Sequence, residues 1–231
     1  MLKHLGLLCA SVCFAAIAAA APPAPLAPSA APATPTTTWE EGKNYFLIDP
    51  PQPTASGRRV EVLEIFSYAC PHCAHFQPYA EKIKQSLPAY ATFDYMPAAF
   101  NPSWEPFARA YYAAQSLGVL EQTHQALYDA LHRDHIPMRT IDELAGFYAQ
   151  SGVDKAKFLS AASSFETESK LRRAADIVKG DGIEGTPSVV VNGKYRITGE
   201  SAGGYDQMID LINYLVKKEH DPAAKPKAAA K

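Results

Sequence analysis

Two cysteines placed where a strand runs into a helix constrain this chain more than any other feature. Val60-Glu61-Val62-Leu63-Glu64-Ile65-Phe66 is rich in Val and Ile and predicts a strand. Four residues later comes Cys70-Pro71-His72-Cys73, and then Phe76, Tyr79, Ala80, Ile83 and Leu87 recur at steps of three and four. That repeat predicts a helix to about Leu87, with Pro78 expected to kink its first turns. A helix N-terminus offers unpaired N–H groups and the positive end of a dipole, and both favour a thiolate over a thiol. His72, between the sulfurs, adds positive charge or a hydrogen bond. A lowered pKa makes Cys70 anionic at neutral pH and a good leaving group in exchange.

The cysteine count supports reactivity over stapling. Residues 1–20 carry Lys3, an apolar run from Leu5 to Ala16 and the small residues Ala18-Ala19-Ala20, the pattern of a secretory signal peptide cut after Ala20. The run falls short of the roughly 20 residues of a membrane span. Leu8 and Val12 stand before Cys9 and Cys13 where lipidation wants a small residue. Cys9 and Cys13 therefore leave with the leader, and Cys70 and Cys73 remain. Exported proteins use cysteines to close long loops, whereas a bridge between residues three apart closes almost none. Zinc held by this pair with His72 and His75 is the weaker reading, because no second pair has suitable spacing. A net charge of −2 with no basic stripe argues against nucleic-acid binding.

Residues 21–38 are almost all Ala, Pro and Thr and read as a flexible tether. Residues 219–231 read as a flexible tail, leaving a folded body over 39–218. Within it, 44–48 and 92–96 are further strands. Residues 102–179 are helical by period and read as an inserted all-helical subdomain. Its faces are Trp104, Phe107, Ala108 and Tyr111; His124, Leu127, Tyr128 and Leu131; Ile141, Leu144, Ala145 and Tyr148; and Leu171, Ala174, Ala175 and Val178. His75, His124, His132 and His135 read as surface or cap residues. Asn192-Gly193 between two apolar runs predicts a hairpin, and 204–218 a closing amphipathic helix. Gly185-Thr186-Pro187 precedes the hairpin.

Leu63 to Cys73 resembles the active-site strand and helix start of the DsbA family of periplasmic thiol oxidases. Gly185-Thr186-Pro187-Ser188 and Asn192-Gly193-Lys194-Tyr195 resemble that family's cis-proline loop and hairpin, and Glu41-Gly42-Lys43-Asn44-Tyr45 is similar to its opening segment. The resemblance implies an α/β chain with a thioredoxin fold, residues 39–101 and 180–218, interrupted by the helical subdomain 102–179. It implies a Cys70–Cys73 disulfide given to newly exported, unfolded proteins bearing thiols. Cys70 is then the exposed attacking residue and Cys73 the shielded resolving one. Pro71 and His72 tune the pair, and Thr186 and Pro187 face the substrate. Glu64 matches an acidic residue under the disulfide that relays protons. Two departures stand out: Asp94 replaces the basic residue that often partners that acid, and Thr186 stands where some members carry Val.

No cofactor is expected. The implied reoxidant is a quinone-linked membrane oxidase of DsbB type, the compartment is the periplasm, and the chain acts as a monomer. A disulfide isomerase or reductase is the alternative in the same class; a metal-binding or peptide-binding module is the alternative outside it.

Overall fold

The computed structural model describes residues 38–221. The expected leader 1–20, all of the tether but residue 38, and the tail from 222 lie outside the described residues. Five strands form one sheet in the order β1-β5-β4-β2-β3: β1 Phe46–Leu47, β2 Val60–Phe66, β3 Ala91–Pro97, β4 Ser188–Val191 and β5 Tyr195–Thr198. β2 runs parallel to β3 and antiparallel to β4. Its position between them explains why VEVLEIF is apolar on both faces.

Alternation divides those faces. Val60, Val62, Glu64 and Phe66 point to one side, where helices α1 (Pro71–Ser86) and α8 (Tyr205–His220) supply Phe76, Ala80, Ile83, Met208, Leu211 and Leu215. Leu63 and Ile65 point to the other, where α6 (Phe165–Gly180) packs Ala174 and Ile177 against Met96 and Val190. The chain between β3 and β4 is helical: α2 Glu105–Ser116, α3 Leu120–Tyr128, α4 Ile141–Gln150, α5 Lys155–Ala162 and α6. These helices share a core that includes Phe107, Tyr111, Tyr128, Leu144, Tyr148 and Phe158, and Phe66, Tyr68, Cys70 and Cys73 belong to the same cluster. The active-site corner is thus packed against the helical segment.

The structure departs from the sequence reading in several places. Four helical faces were legible, but α5 was not, because only Phe158 and Ala162 of its eight residues are buried; Asp154, accepting from Lys157 N–H, starts it. A short α7 (Gly199–Ala202) separates the hairpin from α8. The tail does not begin at 219. α8 continues to His220, and Glu219 is buried beneath the hairpin, accepting from Asn192 Nδ2 at 2.6 Å, Lys194 Nζ at 2.5 Å and Tyr195 Oη at 2.9 Å. Helix α1 is continuous through Pro78. No helix of the described residues is long and apolar enough to cross a membrane.

Candidate active site

β2 ends at Phe66, and the next three residues turn the chain into α1. Ser67 organises the turn: its carbonyl accepts from Cys70 N–H at 3.1 Å and its hydroxyl from Ala69 N–H at 3.2 Å. Cys70 is the N-cap of α1, with extended backbone, and Pro71 takes the first helical position, where a missing N–H costs nothing. The cap side chain is a sulfur, and no hydroxyl or carboxylate competes with it for the helix N-terminus.

Both cysteines are free thiols in this structure. Cys70 is 5% exposed and Cys73 fully buried. The expectation of an exposed Cys70 is therefore corrected: it is barely open to solvent, because the Thr186 loop and the helical segment crowd it. Its thiol is nonetheless lowered to about 5. A hydrogen bond from Cys73 is the largest cause; burial opposes it, and the Thr186 side chain and the backbone N–H groups of Cys73 and His72 add to the lowering. Burial, then the neighbouring Cys70, pushes the Cys73 thiol far up. One sulfur is held as an anion and the other as a thiol. The helix start acts on Cys70 through the backbone of His72; the His72 ring itself is exposed.

The loop before β4 closes over the pair. Cys70 Sγ lies 3.5 Å from the Thr186 carbonyl, and the Thr186–Pro187 bond is cis, as is Asp49–Pro50. His72, Thr186, Pro187, Glu200 and Tyr205 line a groove of about 500 Å³ beside the sulfurs. Tyr205 is a wall that sequence reasoning missed. Its ring packs on Phe76 and Tyr79, and Gly199 admits it: a Cβ there would lie 2.5 Å from the ring. Nothing in the local sequence of Tyr205 marks it, since it reaches the groove only through the fold.

Glu64 sits on the α1 side of β2, fully buried, with neither carboxylate oxygen hydrogen-bonded. Burial, then the charges of Glu81 and Cys70, raises its carboxyl well above the ordinary value. Asp94 is not its partner. Asp94 pairs in register with Leu63 and is exposed on the opposite face, while Tyr95 pairs with Glu64 and its hydroxyl donates to Glu81 at 3.3 Å. His124 was read as a surface or cap residue; it is 8% exposed and sits among Phe66, Tyr68, Tyr95 and Tyr128. Its exterior reading failed although the helical period puts it on the same face as Leu127 and Tyr128, both buried. Among the described residues no group of three or more His, Cys, Asp or Glu side chains is placed to hold a metal ion.

Comparison with known proteins agrees with this geometry. Residues 61–208 match the family model for the DSBA-like thioredoxin domain. The chain is 37% identical over 184 residues to the thiol:disulfide interchange protein DsbA of Pseudomonas aeruginosa, covering 80% of this chain and 87% of that protein. It is 33% identical over 181 residues to DsbA of Burkholderia cepacia, covering 78% and 85%. The crystal structure of Pseudomonas aeruginosa DsbA superposes with a TM-score of 0.76 at 36% identity, over 81% of this chain and 97% of that one. A single strand–helix corner carrying two unlike sulfurs, within a fold and sequence shared with these proteins, leads to one conclusion: the chain belongs to the DsbA family of thiol:disulfide oxidoreductases.

Proposed function

We propose that the Cys70–Cys73 disulfide is donated to newly exported proteins, with Cys70 as the attacked and exchanging sulfur. A client thiolate forms a bond to Cys70 Sγ, and the Cys70–Cys73 bond breaks toward Cys73, which takes up a proton. A second client thiolate then attacks the client sulfur of the mixed disulfide, and Cys70 leaves as a thiolate. Two client thiols have lost two protons: one resides on Cys73 and one passes to solvent. The client is oxidised and the pair reduced.

The observation that carries this reading is the asymmetry of the two sulfurs. Cys70, lowered to about 5, is the better leaving group in the second step, and its anionic form stabilises the reduced pair. A stabilised reduced form is the established source of DsbA's oxidising strength. Pro71 and the His72 backbone set the helix start that holds the thiolate. Glu64, buried and with its carboxyl raised well above the ordinary value, is the acid that the reading assigns to relay the Cys73 proton. Thr186 and Pro187 form the loop along which an extended client segment pairs. The leader follows from the residue pattern of 1–20; the periplasmic location, a monomeric state and reoxidation by a DsbB-type quinone-linked membrane oxidase follow from the family resemblance.

The direct test is the equilibrium of the pair against glutathione, read beside the ultraviolet titration of reduced Cys70. A midpoint near 5 and a strongly oxidising pair are expected; an ordinary alkaline midpoint would overturn the reading. Cys73→Ala is expected to accumulate mixed disulfides with client chains. If Cys70→Ser traps them equally well, the roles are misassigned. A stable dimer in sedimentation would favour the isomerase alternative, whose members resemble dimers built through an extra N-terminal domain.

A further inference from the structure

Tyr68 lies two residues before Cys70, is fully buried, and has both of its polar ends held by histidines from one stretch of helix. Its phenol oxygen is 2.7 Å from His124 Nδ1, and its main-chain oxygen is 2.7 Å from His132 Nε2. The chemistry assigns the protons. Burial raises the Tyr68 phenol well above its usual value and lowers His124 to about 3, so the phenol donates and the neutral imidazole accepts. A carbonyl only accepts, so His132 donates from Nε2.

The helix is built to make both contacts. Eight residues of regular α-helix would leave His132 about 80° around the axis from His124. Here α3 stops at Tyr128 and Asp129–Arg133 forms a π turn, closed by Asp134 N–H onto the Asp129 carbonyl at 2.9 Å. A π turn winds less per residue and brings His132 back toward the side of His124. Such turns inside helices recur at functional sites.

What they hold is the approach to the nucleophile. Between β2 and Cys70 the chain has only Ser67, Tyr68 and Ala69, and the Tyr68 carbonyl begins the peptide plane next to that of Cys70. The thiolate depends on where Sγ sits: first on its hydrogen bond from Cys73, and to a lesser degree on the backbone N–H groups of Cys73 and His72. A tilt of the Tyr68 peptide passes directly into the backbone angles that aim Sγ.

We infer that His124 and His132 are positioning residues of the exchange reaction: they grip Tyr68 at both ends and thereby keep Cys70 seated at the start of α1. This rests on the reading of Cys70 as the exchanging thiolate. It gives the helical segment a part in the chemistry, since both gripping residues come from it.

The test uses the full chain with three substitutions: His132→Leu, His132→Gln, which keeps an N–H donor, and Tyr68→Phe, which drops the phenol link but keeps the ring. For each, Cys70 is titrated by ultraviolet absorbance, exchange is timed with a peptide carrying two thiols, and the thermal midpoint is recorded. His132→Leu is expected to move the Cys70 midpoint upward and to slow exchange by about tenfold or more, as small misplacements of reacting groups do. His132→Gln is expected to restore both, and Tyr68→Phe to shift both in the Leu direction by less. If His132→Leu lowers only the thermal midpoint, with titration and rate unchanged, the histidines are merely structural and the inference falls. Should His132→Leu not fold, Tyr68→Phe decides: a titration and rate equal to those of the unsubstituted chain overturn the inference. An ordinary midpoint in the unsubstituted chain would instead defeat the functional reading itself.

Discussion

Asp181 ends α6, is 3% exposed, and keeps one carboxylate oxygen buried without a hydrogen-bond partner. Burial, helped by nearby Glu61, raises its carboxyl from 3.8 to about 6. A carboxyl raised on folding adds stability that is fully present below its unfolded value and lost as pH rises through the folded one. The shift of roughly two units is worth about 3 kcal/mol. Asp181→Asn is therefore expected to stabilise by about 1–3 kcal/mol at pH 8 and by far less at pH 4. Urea midpoints at the two pH values check this; equal gains at both would mean that the charge is not what costs stability. Gly199 makes a second residue-scale case. Its Cβ-less carbon admits the Tyr205 ring, so Gly199→Ala is expected to overpack and cost about 1–3 kcal/mol in thermal unfolding. It also pushes that ring from the groove wall, so client exchange should slow in the same variant; unchanged stability and rate would show that the ring relocates freely.

Among the elements, legibility followed burial. β2, α1 and the Asn192-Gly193 hairpin were readable because their apolar positions keep a strict period or a turn dipeptide; Asn192 and Gly193 both take positive φ, and Lys194 N–H closes the turn onto Val191. Cys70 and Cys73 were readable because motif and placement coincide, whereas the Thr186-Pro187 loop was marked only by the family resemblance. α5 hides because one face of eight residues buries little, and the π turn because an inserted residue breaks the repeat that periodicity detects. His124 and Tyr205 escaped because their surroundings come from elements far apart in the chain. Glu219 was lost for the converse reason: a charge near a lysine-rich end reads as solvated, yet the hairpin supplies three donors. Burial pushes its carboxyl up, but Lys194, Asn192 and Tyr195 outweigh that and hold it below the usual carboxylate value. Glu219→Ala leaves those donors unpaired between α8 and β5. It is expected to destabilise by about 2–4 kcal/mol in urea with an unchanged denaturant slope. A loss under half a kcal/mol would mean that α8 holds without its end.

For the molecule as a whole, the two redox states differ by one bond and one charge, and their stabilities respond oppositely to those terms. Closing a loop of four residues gives the oxidised form about 2 kcal/mol by chain entropy. The reduced form gains instead from Cys70, whose thiol falls on folding from 9.0 to about 5. A depressed pKa adds stability that is fully present above the unfolded value and lost as pH falls through the folded one. That gain is near zero at pH 5 and grows by about 1.4 kcal/mol per pH unit, to about 3 kcal/mol at pH 7. Groups such as Asp181 and His124 titrate in both states and drop out of the difference. The stabilities should therefore cross between about pH 6 and 7, with the disulfide form the more stable below and the dithiol form above. The excess also sets the driving force for oxidising clients: each 1.4 kcal/mol is about 30 mV for two electrons, so the pair should become more oxidising, relative to an ordinary dithiol, as pH rises from 5 to 8. Urea melts of both forms across that range give the crossing, and glutathione equilibria give the potential. Parallel stability curves with no crossing would mean that the Cys70 charge contributes nothing to the fold, and the potential should then track that of an ordinary dithiol at every pH.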